Sequence, residues 1–188
     1  MEVIGLVGHI ESGKNHIASL LEKQYGYKCL MMAGLAKFIV SQIEGISLEQ
    51  LEDRKYKEEF RPKVKAAAES LKKALGETVH CKYVDNLINQ LCFTENRYSR
   101  FVISDIRWPY EYLFFRERFR LIKTPIDFKI LKVESDLIDK TKANKVESES
   151  YIDTYFSQHN DGIIFNGEEQ RYDRDNLDLI GQLVKFVN

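Results

Sequence analysis

A glycine-rich loop near the amino terminus constrains this chain more than any other feature. Residues 8–14 read GHIESGK and match the pattern G-x-x-x-x-G-K. The loop follows an apolar run at residues 3–7, which predicts a buried strand, and precedes residues 15–25, whose apolar side chains share one helical face. Between a strand and a helix, such glycines let the backbone fold around an anion, and the helix amino terminus adds partial positive charge. The sequence therefore predicts an anion site at residues 8–14, which we call the phosphate loop.

The residue types in the phosphate loop predict a nucleotide site. We expect the backbone of Gly8, Ser12 and Gly13 to bind the phosphates of ATP. Lys14 should bind the outer phosphates. The next position usually holds a Ser or Thr whose hydroxyl binds Mg²⁺, but here it is Asn15, which is assigned to the same ATP site. Because an amide is a poorer magnesium ligand, a nucleotide-binding protein that catalyses no transfer remains an alternative.

Apolar runs and amphipathic segments alternate along the rest of the chain, as is typical of a parallel sheet covered by helices. Further strands are predicted at residues 27–32, 101–104, 129–133 and 162–165. Further helices are predicted at residues 35–43, from Pro109 onwards, and at about 175–186. A length of 188 residues suits one domain. The prediction is therefore a single three-layer α/β domain over residues 1–188.

Two segments interrupt this alternation. Residues from about 45 to 95 are charged and helical, with Pro62 expected to begin one helix and Gly76 to follow its end. Residues 136–150 are polar and lysine-rich with no sustained apolar face, which favours a short lid. Its candidate cations are Lys140, Lys142 and Lys145.

The charge balance excludes some classes of partner. The 28 basic and 29 acidic residues leave a formal net charge of −1, so no general field attracts nucleic acid or anionic lipid. The first residues carry an acid at position 2 and only a short apolar run, unlike a signal peptide. We therefore expect a cytoplasmic protein, a monomer or homodimer, that acts on a small molecule.

Charged residues at the predicted ends of strands and helices are further site candidates. Asp105 follows a buried strand, where a carboxylate can hold Mg²⁺ through water, although an acid there also often caps a turn. Arg107 can donate a fork of hydrogen bonds to a phosphate, or form a surface ion pair. Lys37 and Arg61 lie near helix ends, where either can bind the phosphate of an acceptor.

Several segments resemble the phage-type deoxynucleoside monophosphate kinases and the related animal-type phosphomevalonate kinases. Those families carry a loop like G-x-x-x-S-G-K-D, an A/S-G-P-x-K segment, a strand ending in D-x-R, a late S-E pair and a strand ending in Asn. The matching segments here are SGKN at 12–15, AGLAK at 33–37, SDIR at 104–107, SE at 148–149 and IIFNG at 163–167. Asn15 and Leu35 depart from the family pattern. The run RWPYE at 107–111 is similar to the deoxynucleotide branch.

The resemblance implies a P-loop kinase of the nucleoside monophosphate type, with the helical segment binding the acceptor. It implies ATP and Mg²⁺ as cofactors and a deoxynucleoside monophosphate as acceptor, with phosphomevalonate as the alternative. The implied catalytic residues are Lys14, Asp105 and Arg107, with Asp105 near Mg²⁺. The implied acceptor-binding residues are Lys37, Arg61, Arg107 and Glu149, and Asn166 is assigned to the ATP site.

Overall fold

Five parallel strands form the centre of the molecule. The computed structural model of the chain describes residues 1–123, 125–136, 147–167 and 177–187. The strands are β1 (Glu2–Val7), β2 (Lys28–Met31), β3 (Arg100–Ile106), β4 (Asp127–Glu134) and β5 (Gly162–Phe165). They lie in the order β2-β3-β1-β4-β5, and every neighbouring pair is parallel. The predicted α/β fold with a parallel sheet is confirmed.

Helices cover both faces of this sheet. In chain order they are α1 (Lys14–Tyr25), α2 (Gly34–Glu44), α3 (Leu48–Glu52), α4 (Arg54–Leu75), α5 (Val79–Asn89), α6 (Pro109–Arg120), α7 (Glu147–Asp153), α8 (Tyr155–Gln158) and α9 (Leu177–Val184). Helices α1 and α9 pack on one face, and α5, α6 and α8 pack on the other. This arrangement gives the three predicted layers. No helix in the described ranges is long and apolar enough to cross a bilayer.

Residues 3–7 of β1 are continuously apolar and lack the alternation of apolar and polar residues that is typical of a strand with one face in solvent. Ile4 and Leu6 pack against α1 and α9, whereas Val3 and Val7 join the core on the opposite face. All four side chains are fully buried. Because β1 is the middle strand and is covered on both faces, a continuous apolar run is required at this position.

The middle third of the chain is helical, as predicted, but one helix boundary was predicted wrongly. Pro62 lies inside α4 and not at its start, because the helix begins at Arg54 after Asp53, whose side chain accepts a hydrogen bond from the amide of Lys55. A proline removes one backbone hydrogen bond, here to the carbonyl of Glu58. Both Pro62 and Glu58 are exposed, so water can satisfy that carbonyl.

Glycine positions set two other helix ends as predicted. Helix α2 ends at Gly45 and α4 at Gly76, both with positive φ angles. Residues 137–146, which include most of the predicted lid and its three lysines, lie outside the described residues. The last helix, predicted from about residue 175, is described from Leu177.

Candidate functional site

The phosphate loop lies at the carboxyl edge of the sheet, between β1 and α1, and is held by the end of β5. Asn166, directly after β5, donates a hydrogen bond from Nδ2 to the carbonyl of Ser12 at 2.9 Å. Gly13 has a φ of 94°, and a Cβ there would lie 1.9 Å from the same Nδ2. A Cβ on Gly8 would lie 2.5 Å from the carbonyl oxygen of Val133 on β4. Both glycines are therefore required by close approach of neighbouring strands.

Lys14 is buried inside the loop that it terminates. Its Nζ donates hydrogen bonds to the carbonyls of Gly8 and His9, each at 2.7 Å, and lies 3.4 Å from Oδ1 of Asp105. Burial lowers the pKa of Lys14, and the charge of Asp105 opposes that shift. The ammonium is thus held at the centre of the loop, where an anion can replace its carbonyl partners.

Asp105 owes its position to an irregularity in β3. The register passes from Gly5 opposite Ile103 to Val7 opposite Ile106, so β3 carries one extra residue, and Asp105 takes a left-handed φ of 71°. The sequence signal placed Asp105 after the strand, but it lies within it. The bulge turns the carboxylate towards the phosphate loop.

Two cations surround the Asp105 carboxylate. Oδ2 accepts hydrogen bonds from Nη2 of Arg107 at 2.8 Å and from its Nε at 3.0 Å. Although burial alone would raise the pKa of Asp105, the adjacent Lys14 and Arg107 hold it well below its usual range. Asp105 is therefore an ionised carboxylate and a weak base.

Arg107 is fixed by the start of α6. Its backbone N–H and that of Trp108 donate to Oε2 of Glu111, at 2.8 and 3.1 Å, and Pro109 opens the helix as predicted. Burial raises the pKa of Glu111 to about 7, while the two backbone donors oppose the shift. Nη1 of Arg107 lies 3.7 Å from Oε1 of Glu149. The guanidinium is thus held between two carboxylates at the mouth of the loop.

Glu149 and its partners form a contact that sequence reasoning missed. Glu149 is fully buried, and its Oε2 lies 2.9 Å from Nδ1 of His9 and accepts a hydrogen bond from the amide of Ile10 at 3.0 Å. Nε2 of His9 lies 2.9 Å from Oδ1 of Asp153. Glu149 and Asp153 are four residues apart on α7, a spacing that places both on one helical face. The spacing of four residues between Glu149 and Asp153 was the sequence signal that these two carboxylates act on a common partner.

The predicted cations of the helical insertion have other partners. Lys37 forms an ion pair with Glu52 of α3 and contacts the sulfur of Met31. Arg61 forms an ion pair with Glu58 one turn earlier on α4, at 3.1 Å, and half of its side chain is exposed. In the described structure both cations are paired within or beside the insertion, and their role in acceptor binding stays a prediction.

Aromatic side chains lie beside Arg107. The Trp108 ring stacks on Tyr110, with centroids 6.1 Å apart, and contacts Tyr151 at 5.7 Å. The ammonium of Lys72 on α4 lies 5.6 Å from the same indole. On the other side of the insertion, a Cβ on Gly34 would meet the ring of Tyr83 at 3.4 Å. Aromatic surface is therefore present where α4, α5 and α6 meet.

A cleft of about 400 Å³ opens beside His9, at the carboxyl ends of β4 and β5. Its lining is polar apart from one aromatic ring and consists of His9, Lys132, Glu134, Ser135, Asp136, Asp153 and Phe165. The cleft shows that the ring of His9 faces a charged cavity and not the apolar core.

The residues present fit a triphosphate with Mg²⁺ held mainly through water. The buried Oγ of Ser12 has no hydrogen-bond partner among the described residues, which is the arrangement of an unused phosphate donor. No group of three or more His, Cys, Asp or Glu side chains in the described ranges converges to hold a metal directly. Mg²⁺ keeps several waters and often binds through one carboxylate and phosphates, so the single carboxylate of Asp105 fits such a site.

Solved structures of several kinases are similar to this chain over most of its length. A dephospho-CoA kinase from Campylobacter jejuni is 15% identical, with a TM-score of 0.48 and alignment of 99% of this chain and 96% of that chain. A shikimate kinase from Bacteroides thetaiotaomicron is 10% identical, with a TM-score of 0.46 and coverage of 98% and 97%. A gluconokinase from Sinorhizobium meliloti is 14% identical, with a TM-score of 0.41 and coverage of 99% and 93%. No family model and no curated protein matches. The functional proposal therefore rests on the residues of this chain.

Proposed function

We propose that the protein is a kinase that transfers the terminal phosphoryl group of ATP to a small phosphorylated acceptor, with a deoxynucleoside monophosphate as the leading acceptor. The observation that carries the proposal is the convergence of Lys14, Asp105 and Arg107 at the mouth of the phosphate loop. A loop amide cradle, a buried ammonium, an ionised carboxylate and a guanidinium are the groups that phosphoryl transfer requires.

The ATP side of the proposed site is formed by the phosphate loop. Its backbone N–H groups and the start of α1 favour negative charge, and Lys14 can exchange the carbonyls of Gly8 and His9 for phosphate oxygens. Mg²⁺, when bound, would neutralise charge on the outer phosphates. Asp105, ionised and partly exposed, would hold water ligands of that ion.

The acceptor side is better suited to a phosphate than to a hydroxyl. A hydroxyl acceptor needs a base to remove its proton, and the lowered pKa of Asp105 makes it a poor base. A phosphate monoester has its second pKa near about 6, so at neutral pH its oxygen attacks without a base. Nη1 of Arg107, which lies 3.7 Å from Glu149, can bind such a phosphate if it turns from that carboxylate to the phosphate oxygens.

The reaction then needs positioning and charge stabilisation but no covalent intermediate. An acceptor phosphate oxygen forms a bond to the γ-phosphorus of ATP, while the bond from that phosphorus to the bridging oxygen breaks. ADP leaves with the electron pair of that bond. Lys14 and Arg107 stabilise the charge that spreads over the transferred group.

The aromatic side chains support a nucleoside over an isoprenoid acceptor. Trp108 follows Arg107 directly in the chain and lies beside Lys72 of α4, and Tyr83 of α5 lies beside Gly34 at the start of α2. A nucleobase can stack on such rings, whereas the apolar part of phosphomevalonate has no planar ring. This observation favours the deoxynucleotide and leaves phosphomevalonate as the comparison compound.

The direct test is a coupled assay of ADP release with Mg²⁺, ATP and a panel of acceptors. The panel contains the four deoxynucleoside monophosphates, phosphomevalonate and a hydroxyl acceptor such as a free deoxynucleoside. We expect turnover with one or more of the deoxynucleotides. Turnover with phosphomevalonate alone would identify the alternative acceptor, and ATP binding without turnover on any compound would identify a non-catalytic nucleotide-binding protein.

Arg107→Ala is expected to cost about tenfold or more in kcat/KM for the acceptor, because a charged hydrogen bond from arginine contributes roughly 1.5–3 kcal/mol. ATP affinity should stay within a few-fold.

Arg61→Ala should also weaken acceptor use more than ATP binding if its ion pair with Glu58 opens. Lysine at either position should restore only part of the lost kcat/KM for the acceptor, since lysine lacks the guanidinium fork.

The measurement for both arginines is paired titration of ATP and of the best acceptor. Arg120→Ala is the matched control, because Arg120 is exposed at the end of α6 and forms an ion pair with Glu117 one turn earlier. A loss confined to ATP in the Arg107 variant would refute its assignment to the acceptor side.

A further inference from the structure

His9 makes two contacts that a neutral imidazole cannot satisfy together. Nδ1 lies 2.9 Å from Oε2 of Glu149, and Nε2 lies 2.9 Å from Oδ1 of Asp153. A neutral ring has one N–H donor, so one nitrogen lone pair would face a carboxylate oxygen. Only the imidazolium form donates to both oxygens. The geometry alone therefore indicates a positively charged His9.

Glu149, whose carboxylate contacts Nδ1 of His9, also binds the backbone of the phosphate loop. Oε2 of Glu149 receives both the ring of His9 and the amide of Ile10, so it contacts the phosphate loop at two successive residues. Burial raises the pKa of Glu149, but the hydrogen bonds from His9 and Ile10 outweigh burial and lower it. An ionised, fully buried carboxylate requires nearby positive charge.

Every other charged group near His9 bears on its protonation. Lys14 donates to the carbonyl of His9, and Arg107 lies 3.7 Å from Glu149. The cleft beside the ring adds Lys132, Glu134 and Asp136, and Lys132 is paired with Glu134 at 2.9 Å. The carboxylates directly on the ring, Glu149 and Asp153, thus meet no other cation at hydrogen-bond distance in the described structure. The two carboxylates on the ring therefore favour its cationic form.

We propose that His9 is a positioning residue whose imidazolium ties the phosphate loop to α7, and that loss of its second ring proton releases Asp153 and loosens the loop. The contacts of His9 with Glu149 and Asp153, which we call the tie, do not depend on the reaction, whereas their effect on ATP affinity rests on the proposed function. The imidazolium places a positive charge within the phosphate loop.

The direction of the pH dependence follows from these contacts. The hydrogen bond to Glu149 raises the pKa of His9 above its ordinary value of 6.5, burial opposes this, and Asp153 adds to the rise. A group whose pKa is raised by folding stabilises the fold fully below its unfolded value and loses that contribution as pH rises through the folded value. The tie is therefore complete in mildly acidic solution and is lost on the alkaline side.

Nitrogen-15 NMR of the histidine rings in the nucleotide-free protein tests the tie directly. The His9→Gln variant assigns the ring signal among the four histidines of the chain. We expect both ring nitrogens of His9 to be protonated in most molecules at pH 6.5, the ordinary pKa of histidine. In Asp153→Asn the carboxamide can donate to an unprotonated Nε2, so the ring should titrate at lower pH.

Asp127→Asn is the matched control, because Asp127 and Asp153 have equal side-chain exposure of 53% and Asp127 lies at the opposite end of β4. It should leave the titration of His9 unchanged. A His9 ring that is neutral at pH 6.5, or one that titrates identically in the Asp153 variant, would overturn the tie.

The amide of Ile10 and the affinity for ATP report on the loop. We expect the protection of that amide from hydrogen exchange, corrected for its intrinsic exchange rate at each pH, to fall as pH rises through the His9 transition. ATP affinity should weaken a few-fold over the same range. In Asp153→Asn both should vary less over the same range. If neither ATP affinity nor the protection of the Ile10 amide changes as His9 titrates, His9 does not position the loop. If ATP binds at no pH, the proposed function fails, while the ring and Ile10 signals still decide the tie.

Discussion

Lys14→Ala is expected to reduce phosphoryl transfer by about a thousandfold or more while the fold remains intact. Its ammonium is the cation at the centre of the phosphate loop, and a positioned cation on the transferred group contributes roughly three to five orders of magnitude in related reactions. The variant also leaves the carbonyls of Gly8 and His9 without their donor, but both can bind water in the opened loop.

The measurement is turnover at saturating ATP and acceptor, with circular dichroism and thermal unfolding to check the fold. Lys28→Ala is the control, because Lys28 begins β2 at the opposite edge of the sheet and its ion pair with Glu22 is exposed. We expect full activity from it. Turnover close to wild type in Lys14→Ala would end the kinase proposal.

Gly13→Ala is expected to destabilise the protein by roughly 2–5 kcal/mol and to abolish tight ATP binding. Left-handed backbone costs a non-glycine residue about 1–2 kcal/mol, and overpacking adds about 1–3 kcal/mol. The new Cβ would lie 1.9 Å from Nδ2 of Asn166, so Asn166 must move and lose its hydrogen bond to Ser12. Chemical denaturation and ATP titration measure the two effects.

Two further variants separate backbone strain from the clash. Gly26 has a φ of 70° with nothing within 4 Å of a new Cβ, so Gly26→Ala should show the cost of the left-handed backbone alone. The double variant Gly13→Ala with Asn166→Ala removes the clashing amide and should recover part of the stability. Equal losses of unfolding free energy in Gly13→Ala and Gly26→Ala would show that Asn166 moves away from the new Cβ without destabilising the protein.

The sheet and the phosphate loop were predictable because their signals are local. A buried run such as residues 3–7 followed by G-x-x-x-x-G-K specifies strand, loop and helix within one stretch of chain. Pro109 and Gly76 mark helix ends through their own backbone restrictions. Asp105 and Arg107 were found because parallel strands bring their carboxyl ends to one edge.

The rest of the site depends on contacts between distant parts of the chain. His9 and Asp153 are 144 residues apart, and nothing near either one specifies the other. The extra residue in β3 that turns Asp105 towards the loop depends on the register with β1. Lys37 was correctly placed near the start of α2, but its partner Glu52 depends on how α2 and α3 pack. The placement of Arg61 near a helix end was wrong, because α4 begins at Arg54 and Arg61 lies within it. Pro62 was misplaced because a solvated helix tolerates it.

The helical insertion has a small core of its own, and this divides the molecule into units of unequal stability. Val40, Leu51 and Phe60 form a cluster separate from the two large cores that sandwich the sheet. A few buried side chains secure a local unit far less than a full sheet core does. Amides of α3 and the first half of α4 should therefore exchange with solvent faster than those of β1 and β3, which hydrogen exchange with mass spectrometry can resolve. This unit can therefore open locally and close again while the sheet and the phosphate loop stay folded.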